Sequence, residues 1–126
     1  MRAYSKALIV DDSSTSRMIL QRCIDMAGIP VGEYLFAENG LEALNILLSG
    51  RQVDIVITDI NMPKMDGQTF VRLVKGKTET SGIPIVVVSS IAEASVEEEL
   101  KALGVAFVVK KPVSPQKMLG ALGGEA

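Results

Sequence analysis

Short runs rich in valine and isoleucine alternate with longer amphipathic segments along the whole chain. Alternation of this kind is typical of repeated strand–helix units, which form a parallel sheet with helices on both faces. Five such units fit the 126 residues of the chain, a length that is usual for one domain. We therefore predict a single α/β domain over residues 1–126, built on a doubly wound five-stranded parallel sheet.

The sequence also predicts where the strands and helices lie. Strands are expected at residues 6–10, 34–37, 53–58, 84–88 and 106–110. Helices are expected to start near Ser13 or Ser14, Asn39 or Gly40, Asp66, and Ser114 with Pro115, because these residues suit helix N-termini. A further helix follows Ala92, and Gly28, Gly50 and Gly104 each end a helix. In the second helix, Leu41, Leu44 and Leu48 share one apolar face.

Composition excludes several classes of function. The formal net charge is −2 with both signs interspersed, so the sequence lacks the dense basic stripe that nucleic acid or an anionic membrane requires. The sequence contains no histidine, so any phosphohistidine must come from a partner. Cys23 is the only cysteine, which rules out an intrachain disulfide, and it is expected to be a small buried residue. No apolar run approaches a membrane span, and we expect a cytoplasmic protein.

Polar side chains follow four of the five predicted strands. Asp11 and Asp12 come after the first strand, Asp59 after the third, Ser89 after the fourth and Lys111 after the fifth. Ligands of doubly wound sheets bind beyond the carboxyl ends of the strands. If the second strand lies at an edge, the other four are neighbours and their ends converge on one cleft.

Three carboxylates in one cleft repel one another and are stable only when protonated or bound to a cation. A site with oxygen ligands alone favours Mg²⁺. A carboxylate can also attack phosphorus if the transferred group's oxygens find positive charge or donors, which Mg²⁺, Lys111 and Ser89 would supply. Asp59 is the best candidate nucleophile because it ends the central strand, whereas Asp11 and Asp12 form a pair suited to the metal.

The loop after Asp59 reads DINMPKMDG over residues 59–67. Its backbone carbonyls can turn inward as further metal ligands, and Asn61 is the first candidate. An ordinary turn would explain the asparagine, proline and glycine residues, but it would not explain why the loop starts at a carboxylate that ends a buried strand.

Four motifs together resemble the receiver domains of bacterial response regulators, especially the stand-alone CheY-like chemotaxis proteins, over nearly the whole chain. They are LIVDDS at residues 8–13, DINMPKMDG at 59–67, PIVVVSS at 84–90 and KP at 111–112. The resemblance implies a flavodoxin-like three-layer fold with strand order 2-1-3-4-5, and a cis bond between Lys111 and Pro112.

The resemblance further implies a role for each site residue. Asp59 would be phosphorylated from the phosphohistidine of a CheA-like sensor kinase. Asp12, Asp59 and the Asn61 carbonyl would bind Mg²⁺, with Asp11 contacting it partly through water. Ser89 and Lys111 would bind the phosphoryl oxygens. The chain would then signal by binding a protein, without being a turnover enzyme, and a phosphatase is a further possible partner.

The surface for the downstream target is implied to consist of the fourth helix, fifth strand and fifth helix, where Glu93, Glu97, Lys101 and Lys117 are candidate contacts. The acidic residues of the fourth helix are explained equally well as a solvated face.

Two positions bear on the signal and its lifetime. Val108 occupies the place of the family's switching aromatic residue, and the neighbouring Phe107 should face the other side of the strand. We therefore expect switching through the Ser89 loop and the fourth helix. Ile91 is apolar where hydrolytic water approaches in such domains, and we expect it to slow dephosphorylation.

Three alternatives remain open from sequence. A flavodoxin-like cofactor binder would use the same fold, but Asp11 and Asp12 would repel a flavin phosphate. A phosphatase with an aspartyl intermediate would normally place a second aspartate two residues after the first strand's nucleophile, where Ser13 stands here. The third alternative is that the chain is a receiver fragment of a larger response regulator.

Overall fold

A computed structural model describes residues 2–90 and 94–123, apart from the side chains of residues 94 and 95. Strands and helices alternate in the order β1 (Tyr4–Val10), α1 (Ser14–Met26), β2 (Val31–Ala37), α2 (Gly40–Leu48), β3 (Ile55–Asp59), α3 (Gly67–Gly76), β4 (Ile85–Ser89), α4 (Ala94–Ala102), β5 (Phe107–Lys110) and α5 (Pro115–Leu122). The predicted α/β alternation is confirmed.

The five strands form one parallel sheet in the order β2-β1-β3-β4-β5. This confirms the order 2-1-3-4-5 and places β2 and β5 at the two edges. Every residue of β3 and β4 is buried, as expected for central strands covered on both faces.

Two hydrophobic cores lie on opposite faces of the sheet. Alternate residues of one strand point to opposite faces, so Leu8 and Val10 join the core formed with α2, α3 and α4. Ala7 and Ile9 join the core formed with α1 and α5. Cys23 lies in this second core and is buried, as predicted.

The strand boundaries differ from the predicted ones in a way that matters for the site. β3 and β4 extend by one residue at their carboxyl ends, so that Asp59 and Ser89 are the last residues of their strands. β2 starts at Val31, three residues before the predicted start at position 34, because parallel pairing with β1 begins at Tyr4 and Val31. Backbone pairing does not need the apolar side chains that a sequence pattern detects.

The prediction of which residues form the apolar face of α2 is wrong. Leu44 is buried, but Leu41 and Leu48 are exposed, and the buried side instead consists of Gly40, Ala43, Leu44 and Leu47. The absence of a side chain at Gly40 lets the start of α2 approach the Met65 and Phe70 side chains, which a Cβ atom would meet at 3.1 Å. This close approach places Gly40 on the buried side of α2, and Leu41 and Leu48 lie outside it.

The helix termini follow the predicted capping chemistry. Ser13, Asn39, Asp66 and Ser114 each accept a hydrogen bond from a backbone N–H three residues later, which satisfies a donor that the helix itself leaves unpaired. The expected start of the fourth helix after Ala92 lies outside the described residues. Among the residues that the structure describes, no helix is long and apolar enough to cross a membrane.

The start of α3 lies directly against the end of β3. The Gly67 backbone N–H donates to the Ile60 carbonyl at 2.8 Å, and a Cβ atom on Gly67 would lie 2.6 Å from the Ile60 Cα and 2.8 Å from the Asp59 carbonyl oxygen. Backbone atoms cannot move aside as the end of a flexible side chain can. Gly67 therefore fixes how closely the loop of residues 60–66 follows Asp59.

We predict that Gly67→Ala lowers the free energy of unfolding by about 1–3 kcal/mol, the usual cost of forcing extra volume into a filled space. Gly76→Ala is the matched control in the same helix, because nothing lies within 4 Å of its Cβ position. The control should be neutral or gain up to about 1 kcal/mol from helix propensity. Urea unfolding of both variants tests this, and equal stabilities would contradict the close-approach explanation.

Candidate functional site

The carboxyl ends of four adjacent strands bring the predicted polar residues together at one edge of the sheet. Asp11 follows β1, Asp59 ends β3, Ser89 ends β4 and Lys111 follows β5. These strands are neighbours in the sheet, so the convergence expected from the sequence is present.

Three carboxylates form a compact acidic cluster at this edge. One oxygen from each of Asp11, Asp12 and Asp59 lies within 4.8 Å of the others. Asp11 and Asp59 are buried, whereas Asp12 is exposed. Like charges this close disfavour full ionisation unless a cation offsets them.

The Asp59 carboxylate is held on both sides. One oxygen, Oδ1, accepts hydrogen bonds from the backbone N–H groups of Ile60 at 2.7 Å and Asn61 at 3.4 Å. The other oxygen, Oδ2, lies 3.3 Å from the Lys111 ammonium nitrogen. Asp59 is therefore fixed in orientation at the end of the central strand, with a cation at one oxygen.

Lys111 reaches into the site from the loop after β5. Its Nζ also lies 4.0 Å from the Asp11 Oδ2 atom, and its backbone N–H donates to the Ser89 carbonyl at 2.9 Å. The Lys111–Pro112 peptide bond is cis, as the family resemblance implied. Lys110 points away from the site, and its Nζ lies 3.7 Å from a Glu97 carboxylate oxygen on α4.

The Asp11 carboxylate gives the clearest indication of a cation-binding site. Its Oδ1 atom accepts a hydrogen bond from the Ser13 N–H at 2.9 Å, but its buried Oδ2 atom has no hydrogen-bond partner among the described residues. Burial, and then the neighbouring charges of Asp59 and Asp12, raise the pKa of Asp11 despite the opposing effects of the Ser13 N–H and Lys111.

The donor set suits Mg²⁺, which prefers oxygen ligands and is usually bound through one or two carboxylates. A buried carboxylate oxygen without a hydrogen-bond partner among the described residues, beside two further carboxylates, is the kind of atom that such an ion satisfies. Asp11, Asp12 and Asp59 fit that role. Asn61 lies in the adjoining loop, and its carbonyl as a ligand stays a prediction.

Ser89 is buried at the end of β4. In the register between the strands, Asp59 stands opposite Val88, the residue before Ser89. Ser89 therefore belongs to the same edge of the sheet, one strand away from the candidate nucleophile.

Sequence reasoning missed two cationic contacts at the site. Arg17 Nη1 donates to the Asp11 carbonyl oxygen at 2.6 Å. Lys117, expected to be a free surface contact, instead donates through Nζ to the carbonyls of Lys110 at 3.0 Å and Pro112 at 2.8 Å. A signal existed for Arg17, because a cation in the first turn of a helix opposes the helix dipole and therefore calls for another partner.

The switch positions are only partly described. Val108 is half-buried and packs on the core formed with α2, α3 and α4, whereas Phe107 is 44% exposed. Val109, which shares a face of the strand with Phe107, belongs to the opposite core, so the two neighbours face opposite sides as predicted. Ile91 and Glu93 lie outside the described residues.

We predict that Asp11→Asn raises the free energy of unfolding of the metal-free protein by about 1 kcal/mol, a usual size for one stabilising substitution. A carboxyl whose folded-state pKa is raised costs stability when ionised, and this cost disappears as the pH falls through that raised pKa. The gain should therefore be largest at neutral pH and shrink on acidification.

Urea unfolding in EDTA at several pH values measures this gain. Asp12→Asn is the matched control, because its exposed carboxylate is better solvated and its removal should stabilise the protein less. Destabilisation by Asp11→Asn in EDTA at neutral pH would show that the cost of burying the ionised Asp11 carboxylate beside Asp59 and Asp12 is not the dominant effect.

Comparison with known proteins agrees with this geometry. Residues 7–123 match the model of the response regulator receiver domain family. A chemotaxis protein CheY homolog of Campylobacter jejuni is 38% identical over 112 residues, which are 88% of this chain and 84% of that protein. The sensor histidine kinase CheAY of Helicobacter pylori is 42% identical over 84 residues, 66% of this chain and 10% of the kinase.

Solved structures give the same result. The chemotaxis response regulator CheY4 of Vibrio cholerae superposes with a TM-score of 0.79 at 31% identity, covering 94% of this chain and 96% of CheY4. A response regulator receiver protein of Pseudomonas putida gives a TM-score of 0.81 at 25% identity, covering 99% and 100% of the two chains. The fold, the acidic edge with its lysine, and these matches show that the chain belongs to the response regulator receiver domain family.

Proposed function

We propose that residues 1–126 form one receiver domain, a phosphorylation-activated switch of a two-component system in which Asp59 accepts the phosphoryl group. The observation that supports this best is the Asp59 carboxylate itself. It is buried at the end of the central strand, lies 3.3 Å from the Lys111 ammonium, and belongs to a cluster of three carboxylates.

The transfer forms one bond and breaks one. An Asp59 carboxylate oxygen attacks the phosphorus of a partner's phosphohistidine, the phosphorus–nitrogen bond breaks, and the imidazole leaves with its electron pair. Lys111 moves its contact from the carboxylate to a phosphoryl oxygen, and the Ser89 hydroxyl donates to a second. Asp11, Asp12, Asp59 and the Asn61 carbonyl would hold Mg²⁺, whose positive charge would offset the negative charge of the transferred group.

Two backbone contacts hold the Asp59 carboxylate in a fixed orientation. Ile60 and Asn61 orient one carboxylate oxygen, so the nucleophile pays little orientational entropy at the moment of transfer. The reaction leaves the phosphoryl group on the chain, which is the behaviour of a switch rather than of a turnover enzyme. The carboxylates also disfavour the flavin-binding alternative, because they would repel a cofactor phosphate.

The phosphoryl donor is proposed to be a CheA-like sensor histidine kinase, and the pathway to be of the chemotaxis type. The similar proteins support both statements, since they include chemotaxis proteins and a sensor histidine kinase CheAY. A cytoplasmic location fits such a partner, and a dedicated phosphatase is a further candidate partner.

The output is proposed to be a protein that binds the α4–β5–α5 surface. This surface offers the exposed Lys101 and the exposed ring of Phe107. Glu97 is less accessible than expected for a contact residue, because it is half-buried and lies beside Lys110. Phosphorylation would add about −1.5 to −2 charge at the carboxyl edge of the sheet.

We further propose that the signal reaches this surface through the segment after Ser89 and through α4. Val108 is too small to undergo the large rotamer exchange of an aromatic ring. Two contacts among the described residues support this route: the Lys111 N–H donates to the Ser89 carbonyl, and the Lys110–Glu97 ion pair joins β5 to α4.

The first test is incubation with acetyl phosphate and Mg²⁺, followed by intact mass measurement. The wild type should gain one phosphoryl group, lose this gain when EDTA replaces Mg²⁺, and show no gain as Asp59→Asn. Asp54→Asn, on the amino side of β3, is the control and should be phosphorylated normally. Equal labelling of the wild type and Asp59→Asn, or no labelling of either, would overturn the proposal.

The second test is amide NMR with and without acetyl phosphate in the presence of Mg²⁺. We expect resonance shifts in α4 as well as at the carboxyl edge of the sheet. Helix α2, which is not part of the proposed route, serves as the internal reference. Shifts confined to the residues next to Asp59, with α4 unchanged, would contradict this route for the signal.

A further inference from the structure

Arg17 makes a short contact that the transfer mechanism does not use. The residue lies in the first turn of α1 and is half-buried, and its Nη1 atom donates to the backbone carbonyl of Asp11 at 2.6 Å. A cation near a helix N-terminus interacts unfavourably with the helix dipole. The hydrogen bond to a carbonyl at the edge of the acidic cluster gives the side chain a compensating partner.

The Asp11 carbonyl belongs to the peptide that joins Asp11 to Asp12, the two consecutive carboxylates of the cluster. Three hydrogen bonds fix Asp11. Its N–H donates to the Ala37 carbonyl at 3.0 Å, its Oδ1 accepts from the Ser13 N–H at 2.9 Å, and its carbonyl accepts from Arg17. Of these three bonds, the one from Arg17 is the only one made by a side-chain donor.

We propose that Arg17 is a positioning residue for the metal site, acting through the Asp11–Asp12 peptide rather than by touching the ion. Arg17 holds the plane of this peptide and thereby sets the directions from which both carboxylates approach a common centre. Mg²⁺ demands near-ideal octahedral geometry, so a small change in these directions weakens binding. This inference rests on the proposed function, because it takes the acidic cluster to bind Mg²⁺.

The charge of Arg17 and its hydrogen bond should have opposite effects on the Mg²⁺ affinity, so a binding measurement distinguishes them. As a cation close to the cluster, Arg17 repels Mg²⁺, and its removal would tighten binding on electrostatic grounds alone. As a hydrogen-bond donor, it organises the ligands, and its removal would weaken binding. Residues that orient metal ligands typically change metal affinity 10–100-fold when substituted, so we expect geometry to dominate.

The experiment is isothermal titration of the full chain with MgCl₂, without a phosphoryl donor. Arg17→Met keeps the length of the apolar stem but removes the charge and the donors, and it should weaken Mg²⁺ binding about tenfold. Arg17→Lys keeps a charge and a donor and should restore most of the affinity. Arg22→Met is the matched control, because it removes an exposed arginine from the same helix, and it should bind Mg²⁺ as the wild type does.

The outcomes separate this inference from the proposed function. If the wild type binds no Mg²⁺, the proposed function fails. If the wild type binds but Arg17→Met binds equally or more tightly, or if Arg22→Met loses as much affinity, the positioning role is wrong.

Unfolding in EDTA is measured in parallel. A merely structural role would lower stability while leaving the Mg²⁺ affinity of the folded protein unchanged, and that result would also overturn the inference. If Arg17→Met fails to fold, Arg17→Gln replaces it, because glutamine keeps a neutral donor on a shorter side chain. Its Mg²⁺ affinity should be lower than that of the wild type and of Arg17→Lys, but not lost completely.

Discussion

Repulsion among three carboxylates at one edge of the sheet is the constraint on which the rest of the site depends. Asp11 and Asp59 are buried and, with Asp12, bring three carboxylate oxygens within 4.8 Å of one another. Lys111 offsets part of this charge, at 3.3 Å from Asp59 and 4.0 Å from Asp11. A single ammonium cannot balance three carboxylates, and the remaining negative charge makes the site suitable for a divalent cation.

The fold holds this unfavourable cluster in place by burying the strands beneath it. β3 and β4 are buried along their whole length, and two separate cores cover the faces of the sheet. The apolar contacts of these cores stabilise the domain away from the charged edge. Close backbone approach at Gly67 then fixes the loop after Asp59, and the hydrogen bonds from Lys117 fix the backbone on both sides of Lys111.

Much of the fold and the site could be predicted because the relevant signals are local. Valine and isoleucine runs located the strands, capping residues located the helix starts, and the polar residues Asp11, Asp59, Ser89 and Lys111 stood directly at the strand ends. The strand order and the cis bond before Pro112 came from the family resemblance, not from the residue pattern.

What sequence reasoning missed depends on contacts between distant parts of the chain. The buried face of α2 is set by Gly40 against Met65 and Phe70, which no periodicity within the helix reveals. The partners of Arg17 and Lys117 are backbone carbonyls, and carbonyls carry no residue-specific signal. The early start of β2 likewise reflects backbone pairing with β1.

The most direct test of the account is to locate the phosphoryl group chemically. Borohydride reduces an aspartyl phosphate to homoserine, so reduction of the phosphorylated protein followed by peptide mass spectrometry marks the acceptor residue. If Asp59 is the nucleophile, homoserine appears at position 59. Homoserine at position 11 or 12, or phosphorylated protein that yields no homoserine, would contradict the central claim that Asp59 is the nucleophile of this site.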